Sequence, residues 1–156
     1  ATAGQDTDAR PATIELSREV LRTVDEPPFA RAITASVDLV MLSWAVYPCL
    51  DALAPAGLSR TVVMGELRGE LGFQGVTITD SLSAAALEQY GSPRHRALLA
   101  AQAGMDLMLC AGRQVAHGEQ ALGGLHDRYR DGALPHGEFR AAVERVIGLR
   151  FSLAAR

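Results

Sequence analysis

The sequence contains no lysine, and arginine supplies all of its basic residues, fifteen in number. The arginines are scattered along the chain, and eighteen acidic residues bring the formal net charge to −3. A nucleic-acid-binding surface needs clustered positive charge, so the composition excludes nucleic acid as a partner. Because no fold requires the absence of lysine, we attribute that absence to biased coding.

Cysteine and histidine are scarce, and neither is spaced for metal binding. Cys49 and Cys110 lie in different predicted elements without a CxxC motif, which favours two buried free thiols. The histidines are His95, His117, His126 and His136. None has the spacing of a metal site such as HExxH. We therefore predict no metal and no other cofactor, and we expect all four imidazoles to face solvent.

Long apolar runs are absent as well. No run approaches the ~20 residues of a membrane span, so no membrane-spanning helix is predicted. With 156 residues, of which 48% are hydrophobic, the chain is one domain or part of one, large enough for a single core. This composition excludes neither the cytoplasm nor secretion.

Short apolar strands alternate with longer helices, which predicts a parallel α/β architecture. The predicted strands are residues 38–43, 76–79 and 106–110. The predicted helices are residues 17–22, 25–36, 59–71, 81–90, 92–104, 113–130 and 135–153, and residues 1–10 and 47–57 are expected to be loops. A closed barrel of this type needs about eight strands, so a sheet of only these strands is expected to have open edges.

The segment at residues 71–80, Leu-Gly-Phe-Gln-Gly-Val-Thr-Ile-Thr-Asp, carries the strongest functional signal. Gly72 and Gly75 suit a tight connection, and the β-branched residues after them favour a strand that ends at Asp80. Barrel enzymes keep catalytic carboxylates at the C-terminal ends of buried parallel strands. Alternatively, Asp80 only caps the next helix. The spacing alone leaves both interpretations open.

This segment resembles the nucleophile motif of glycoside hydrolase family 3, in which a Gly-Phe-x-Gly-Val strand ends in a catalytic Asp. The most similar branch is the β-N-acetylhexosaminidases. Residues 40–48, Val-Met-Leu-Ser-Trp-Ala-Val-Tyr-Pro, resemble that branch's Val-Met-x-x-His-x-x-Tyr-Pro strand and loop. Residues 58–73 resemble its next helix, and residues 103–109 resemble its last barrel strand. The similarity runs from about Val24 to Ala155.

The resemblance implies an α/β fold that is the C-terminal portion of a TIM (β/α)8 barrel. Residues 1–156 would form part of the family 3 barrel domain, and residues 1–15 would correspond to its acid/base loop region. The implied activity is hydrolysis of β-glycosidic bonds, with retention, in β-N-acetylglucosamine-type substrates, for which cell walls are one candidate source. Because Ala1 follows neither an initiator Met nor a signal peptide, we expect a piece of a longer protein. Alone, the piece should be inactive and poorly stable.

The resemblance also assigns the attacking carboxylate of a retaining glycosidase to Asp80, and Ser81 stands where the branch has a second Asp. The branch takes its acid/base from an Asp-Ser-His triplet, preceded by Gly-His-Gly. Here Asp8 matches the Asp, but Arg10 replaces the His, and Gly4-Gln5-Asp6 replaces Gly-His-Gly. A guanidinium keeps its proton near neutral pH, so Arg10 cannot act as a general acid or base.

Trp44 replaces a further histidine of the branch. We expect it to form an apolar wall of the pocket, with stacking on a sugar face as the alternative. Met41 and Tyr47 flank the same strand end and are candidate substrate contacts. Tyr47 and Asp51 could instead only shape the loop.

Three functional interpretations remain open. The first is an active β-glycosidase of this family. The second is a catalytically impaired, sugar-binding homologue, which Arg10 and Trp44 favour. The third is an α/β binding or regulatory domain with a flavodoxin-like open sheet of about five strands.

Overall fold

The computed structural model describes residues 6–154, which contain two three-stranded sheets and their flanking helices. The strands in this part of the chain are β1 (Ala12–Thr13), β2 (Leu39–Leu42), β3 (Ala45–Tyr47), β4 (Asp51–Pro55), β5 (Val76–Ser81) and β6 (Leu107–Leu109). The α-helices are α1 (Arg18–Val20), α2 (Pro27–Thr34), α3 (Pro93–Ala103), α4 (Val115–Arg130) and α5 (His136–Ala154). Segments Leu21–Asp25 and Thr61–Glu70 are π-helical, and Ala56–Leu58 and Ala85–Tyr90 are 3₁₀-helical.

The first sheet is parallel, with strand order β2–β5–β6. It confirms the three predicted strands. Leu39 lies opposite Val76, and Ile78 lies opposite Leu107. Within residues 6–154, β2 and β6 each pair along one edge only, so the sheet has the open edges that the sequence predicts.

One face of this sheet packs against the π-helix Thr61–Glu70 and α3. The buried cluster between them consists of Val40, Leu42, Val63, Leu67, Phe73, Ala100, Ala103 and Met105. Gly75 allows the chain to enter β5, because a Cβ there would lie 2.7 Å from the carbonyl oxygen of Asp38. Val40 and Leu42 of β2 are therefore buried beneath helices, as expected for a strand of a parallel sheet.

The second sheet contradicts the predicted loop over residues 47–57. β3 pairs in parallel with β1 and antiparallel with β4. The loop prediction relied on prolines and a glycine, but Pro55 ends β4 at the edge of the sheet, where a missing N–H removes no ladder bond. Pro48 lies in the connecting turn, in which the N–H of Leu50 donates to the carbonyl of Tyr47 at 2.9 Å.

The helices agree with the predicted ones except near residue 25 and at residues 81–84. Ser81 belongs to β5, and the helix predicted over residues 81–90 is a 3₁₀ helix that begins only at Ala85. The sequence predicts that Asp25 caps the second helix, but Asp25 belongs to the π-helical turn and Glu26 precedes α2. The wide turn continues because the N–H of Glu26 donates to the carbonyl of Leu21 at 2.9 Å. Ser59 does cap its helix, since its Oγ accepts the N–H of Val62 at 3.3 Å. No helix within residues 6–154 has the length and apolarity needed to cross a membrane.

A buried carboxylate fixes the N-terminal end of the parallel sheet. The side chain of Asp106, directly before β6, is 0% exposed and accepts Nη2 of Arg68 at 2.7 Å and Nη2 of Arg145 at 2.7 Å. It also accepts the N–H of Thr77 at 2.9 Å. Because Arg68 lies in the π-helix and Arg145 in α5, one carboxylate joins both helices to the sheet. In barrels this end serves stability rather than catalysis.

The outer side of the sheet's β6 edge is apolar and open. A groove of about 660 Å³ runs between β6, α4 and α5. On α5, the side chains of Val143, Ile147 and Phe151 are all exposed. This surface agrees with the expectation that the chain exposes core-like residues, and its effect on stability stays a prediction.

Candidate active site

Asp80 lies at the C-terminal end of β5, one residue before the strand ends. Its side chain is half-buried, and its Oδ1 accepts the N–H of Ser81 at 2.6 Å. The next helical segment begins only at Ala85, with Ala84 at its N-cap. The interpretation of Asp80 as a helix cap is therefore wrong, and the carboxylate stands at a strand end.

A β-bulge surrounds Asp80. Between the pairs Ile78–Leu107 and Ser81–Leu109, β5 contains one more residue than β6. The extra residue is accommodated because Oγ1 of Thr79 accepts the N–H of Leu109 at 2.9 Å. Bulges next to active sites redirect a side chain out of the regular alternation of a strand. Asp80 is one of the two residues of β5 that lie within this irregular part of the register.

The turn after Asp80 is fixed by side chains from two other elements. Nε1 of Trp44 donates to the carbonyl of Ser81 at 2.9 Å. Nη1 of Arg96, from α3, donates to the carbonyl of Leu82 at 2.8 Å. The N–H of Leu82 donates to the carbonyl of Leu109 at 2.9 Å. The backbone behind the carboxylate is thus bonded on several sides.

Trp44 is enclosed by protein. It is 1% exposed and packs with Leu82, Ala84 and Leu87. A Cβ at Gly57 would lie 2.6 Å from the indole ring. The alternative that Trp44 stacks on a sugar is therefore wrong, because neither ring face is open to a ligand. The expected apolar wall is not exposed either, since the indole lies inside a buried cluster.

The predicted acid/base loop contacts the segment that follows Asp80. The carbonyls of Thr7 and Asp8 accept the N–H groups of Ala86 at 3.2 Å and Ala85 at 3.1 Å. Partial desolvation raises the pKa of Asp8, and the negative charges of Asp80 and Asp6 raise it further. The structure therefore brings Asp8 into the electrostatic neighbourhood of Asp80. Arg10 is exposed on the same turn, and Gly4 and Gln5 lie outside the described residues.

The other predicted contacts separate into two groups. Met41 is 51% exposed. In the parallel sheet it lies opposite Ile78, which precedes Asp80 by two residues. Tyr47 instead packs on the cluster of β1 and β3. Asp51 accepts Oγ of Ser59 at 2.6 Å, a bond that lowers the pKa of Asp51. Asp51 begins β4 and does not lie in a loop, so its role is to join this strand to Ser59. Met41 remains the exposed candidate.

Sequence reasoning missed a polar cluster beside the segment that follows Asp80. Oγ of Ser81 lies 2.6 Å from Oγ of Ser83. A Cβ at Gly112 would lie 2.6 Å from that Ser83 oxygen and 3.3 Å from Nδ1 of His117. The prediction that His117 faces solvent is wrong, because it is half-buried and its Nδ1 is enclosed. The other three histidines are exposed, as predicted.

Metal-binding geometry is not found in this part of the chain. Among residues 6–154, no group of three His, Cys, Asp or Glu side chains is placed to hold a metal ion. Cys49 and Cys110 are free and half-buried. Burial raises the pKa of the Cys110 thiol.

The sequence matches a family model over nearly its whole length. The model described as "Glycosyl hydrolase family 3 N terminal domain" matches residues 2–149. An uncharacterized secreted glycosyl hydrolase of Arthroderma benhamiae is 43% identical over 155 residues, covering 99% of this chain and 44% of the relative. A beta-hexosaminidase of Xanthomonas axonopodis pv. citri is 36% identical over 124 residues, covering 79% of this chain and 37% of the relative. The chain thus spans less than half the length of these curated relatives.

Solved structures show the same likeness. A glycoside hydrolase family 3 β-N-acetylglucosaminidase from Paenibacillus sp. aligns with a TM-score of 0.91 at 32% identity, covering 95% of this chain and 28% of that one. A β-N-acetylhexosaminidase from Beutenbergia cavernae aligns with a TM-score of 0.84 at 32% identity, covering 94% of this chain and 43% of that one. The expected TIM-barrel-like fold is confirmed. The flavodoxin-like alternative is wrong, because the parallel sheet has three strands instead of about five.

Proposed function

The chain belongs to glycosyl hydrolase family 3, and on this premise we propose that it forms part of a barrel domain that hydrolyses β-linked N-acetylglucosamine-type sugars. The observation that carries the proposal is Asp80, a half-buried carboxylate at the bulged C-terminal end of β5. The relatives named beta-hexosaminidase and β-N-acetylglucosaminidase support this substrate class.

In the proposed retaining mechanism, Asp80 attacks the anomeric carbon of the sugar. The new carbon–oxygen bond forms as the bond to the leaving oxygen breaks, and this gives a covalent glycosyl intermediate. Water then displaces the carboxylate and restores the original configuration. Because Oδ1 accepts the Ser81 N–H at 2.6 Å, we assign the attack to Oδ2.

We assign proton transfer to Asp8. Its turn is bonded to the chain just beyond Asp80. Partial desolvation and the negative charge of Asp80 raise the pKa of Asp8, which is the direction that suits a proton donor. After donating its proton, the Asp8 carboxylate would accept one from the attacking water. Arg10, which stands where the family's histidine is expected, cannot take this role.

Arg10 also favours a second candidate function, namely sugar binding with impaired catalysis. Without a general acid, only substrates with good leaving groups would glycosylate Asp80. The intermediate would then accumulate, because the same missing group would activate water. Hydrolysis of nitrophenyl glycosides with a burst, beside very slow hydrolysis of natural β-glycosides, distinguishes this candidate from the first.

The test is the Asp80→Asn variant of the full-length gene product, assayed with 4-nitrophenyl N-acetyl-β-glucosaminide. The amide keeps the shape of the side chain but removes its negative charge, so turnover should fall by several orders of magnitude. Asp127→Asn is the matched control, since Asp127 is 53% exposed in an ion pair with Arg94 on the outer helices. Near-normal turnover by Asp80→Asn, or a fluorosugar label on another residue, would refute the assignment.

A further inference from the structure

Two side-chain donors converge on consecutive carbonyls directly after Asp80. Trp44 bonds to the carbonyl of Ser81, and Arg96 bonds to that of Leu82. The donors are distant in sequence, since Trp44 lies between β2 and β3 and Arg96 lies in α3. We propose that these two residues form a clamp that positions the nucleophile, an inference that rests on the proposed role of Asp80.

The clamp acts on peptide planes. The carbonyl of Ser81 and the N–H of Leu82 belong to one peptide group. Trp44 binds this group at its oxygen at 2.9 Å, and the carbonyl of Leu109 binds it at its nitrogen at 2.9 Å. A peptide group is planar, so two bonds on opposite sides fix its orientation.

The fixed plane controls the neighbouring peptide as well. Ser81 joins the fixed plane to the peptide group whose N–H donates to Oδ1 of Asp80 at 2.6 Å. If the peptide group between Ser81 and Leu82 rotated, the backbone of Ser81 would turn with it, and the N–H of Ser81 would move away from the carboxylate of Asp80. Trp44 therefore determines, through one residue, which oxygen of Asp80 is held and which is presented to the sugar.

Arg96 closes the far side of the turn. Besides the Leu82 carbonyl at 2.8 Å, it binds the carbonyl of Gly91 at 2.7 Å through Nε. Burial lowers the pKa of Arg96, with Glu88 opposing this effect. The partly buried guanidinium loses solvation and directs these hydrogen bonds at backbone carbonyls, so simple ion pairing does not explain its placement. The placement of Arg96 is explained by its two carbonyl bonds, which hold the segment between Leu82 and Gly91 in place.

Trp44→Phe and Arg96→Met test the clamp in the full-length gene product. Phenylalanine keeps an aromatic ring in the Trp44 site but has no N–H, and methionine keeps much of the Arg96 stem without its donors. Small misplacements of a reacting group can cost up to ~10²-fold in rate. We expect each variant to lower kcat about 10-fold while KM stays within about twofold, because the sugar-binding groups are untouched.

Three further variants make the measurement specific. The double variant should lose less than the product of the single losses, since both donors hold one turn. Arg96→Lys retains a donor and should recover part of kcat. Arg94→Met is the matched control on the same helix, because Arg94 is 48% exposed and pairs with Asp127, and its kcat should equal that of the unmodified protein.

Active-site titration separates positioning from folding. A fluorosugar that traps the intermediate counts the competent sites, and kcat is expressed per titrated site. A wild-type kcat per site in Trp44→Phe and Arg96→Met would overturn the clamp, whatever the yield of folded protein. Asp80→Asn is measured in parallel. Its inactivity together with unaffected clamp variants would refute the clamp alone, whereas an active Asp80→Asn would refute the proposed function itself.

Discussion

Removing the hydroxyl of Thr79 should disturb the bulge at Asp80. Thr79 is 0% exposed, and its Oγ1 accepts the N–H of Leu109 at 2.9 Å. Valine has nearly the same shape as threonine, so Thr79→Val creates little cavity but removes this acceptor. The change therefore isolates one hydrogen bond at the place where β5 contains its extra residue.

The expected magnitude follows from that bond. A donor in the sheet that loses its partner costs about 1–3 kcal/mol. Thr79→Ser is the matched control, because it keeps the hydroxyl and removes one methyl group, at a cost of about 0.8 kcal/mol. We expect Thr79→Val to be the less stable variant and to lose about 10-fold in kcat, since its bulge no longer fixes the direction of Asp80.

Hydrogen exchange read by mass spectrometry measures the local effect. A peptide covering residues 105–111 reports the Leu109 amide, which should exchange faster in Thr79→Val than in Thr79→Ser. Activity on the nitrophenyl substrate gives the second readout. Unchanged exchange in Thr79→Val, or an equal loss of kcat in both variants, would show that the hydroxyl does not maintain the bulge.

Three further predictions concern charge. Asp106→Asn should lower the free energy of unfolding by about 3–5 kcal/mol, because it leaves Arg68 and Arg145, whose side chains are 10% and 29% exposed, without their shared carboxylate. The exposed Asp131→Asn should lower it far less, because its ion pair with Arg128 lies in solvent. Equal thermal midpoints of the two variants would contradict this. Because the pKa of Asp8 is raised in the folded protein, the free energy of unfolding should fall as pH rises through the acidic range and Asp8 loses its proton. Asp8→Asn should remove part of that fall. Superimposable curves of stability against pH for the variant and the unmodified protein would contradict this. Arg10→His should raise turnover on unactivated β-glycosides by up to ~10²–10⁴-fold if Arg10 occupies the position of the histidine in the family's Asp-Ser-His triplet. Equal efficiency of the unmodified protein on natural and activated substrates would refute that placement.

Sequence patterns were sufficient to predict the parallel sheet of β2, β5 and β6, but they did not predict the second sheet of β1, β3 and β4. Residues 38–43 and 106–110 were recognisable as short apolar runs, as expected for strands buried beneath helices. Residues 76–79 were recognisable because they are β-branched and follow two glycines. The β3–β4 hairpin was not recognisable from the sequence, since proline and glycine normally mark a loop. Their effect depends on edge position, which only the tertiary fold defines: Pro55 is harmless at the end of an edge strand.

The candidate site shows the same division. The position of Asp80 followed from the local strand pattern and the family motif. The bulge could not be predicted from the sequence, because it depends on a contact between the side chain of Thr79 and the backbone amide of Leu109, thirty residues away. Arg96 carried no signal either, since one arginine among fifteen has no pattern that reveals a carbonyl partner.

The geometry also changes the meaning of the missing histidines. Three positions that carry histidine in the resembled branch hold Gln5, Arg10 and Trp44 here. Trp44 is 1% exposed and donates to the carbonyl of Ser81, directly after Asp80, so this replacement bears on the proposed positioning of Asp80 and not on proton transfer. Gln5 lies outside the described residues. Among the described residues, Arg10 alone therefore bears on whether the acid/base is lost. Asp8 is exposed on the same turn as Arg10, and it is the carboxyl group to which we assign the proton transfer that Arg10 cannot perform.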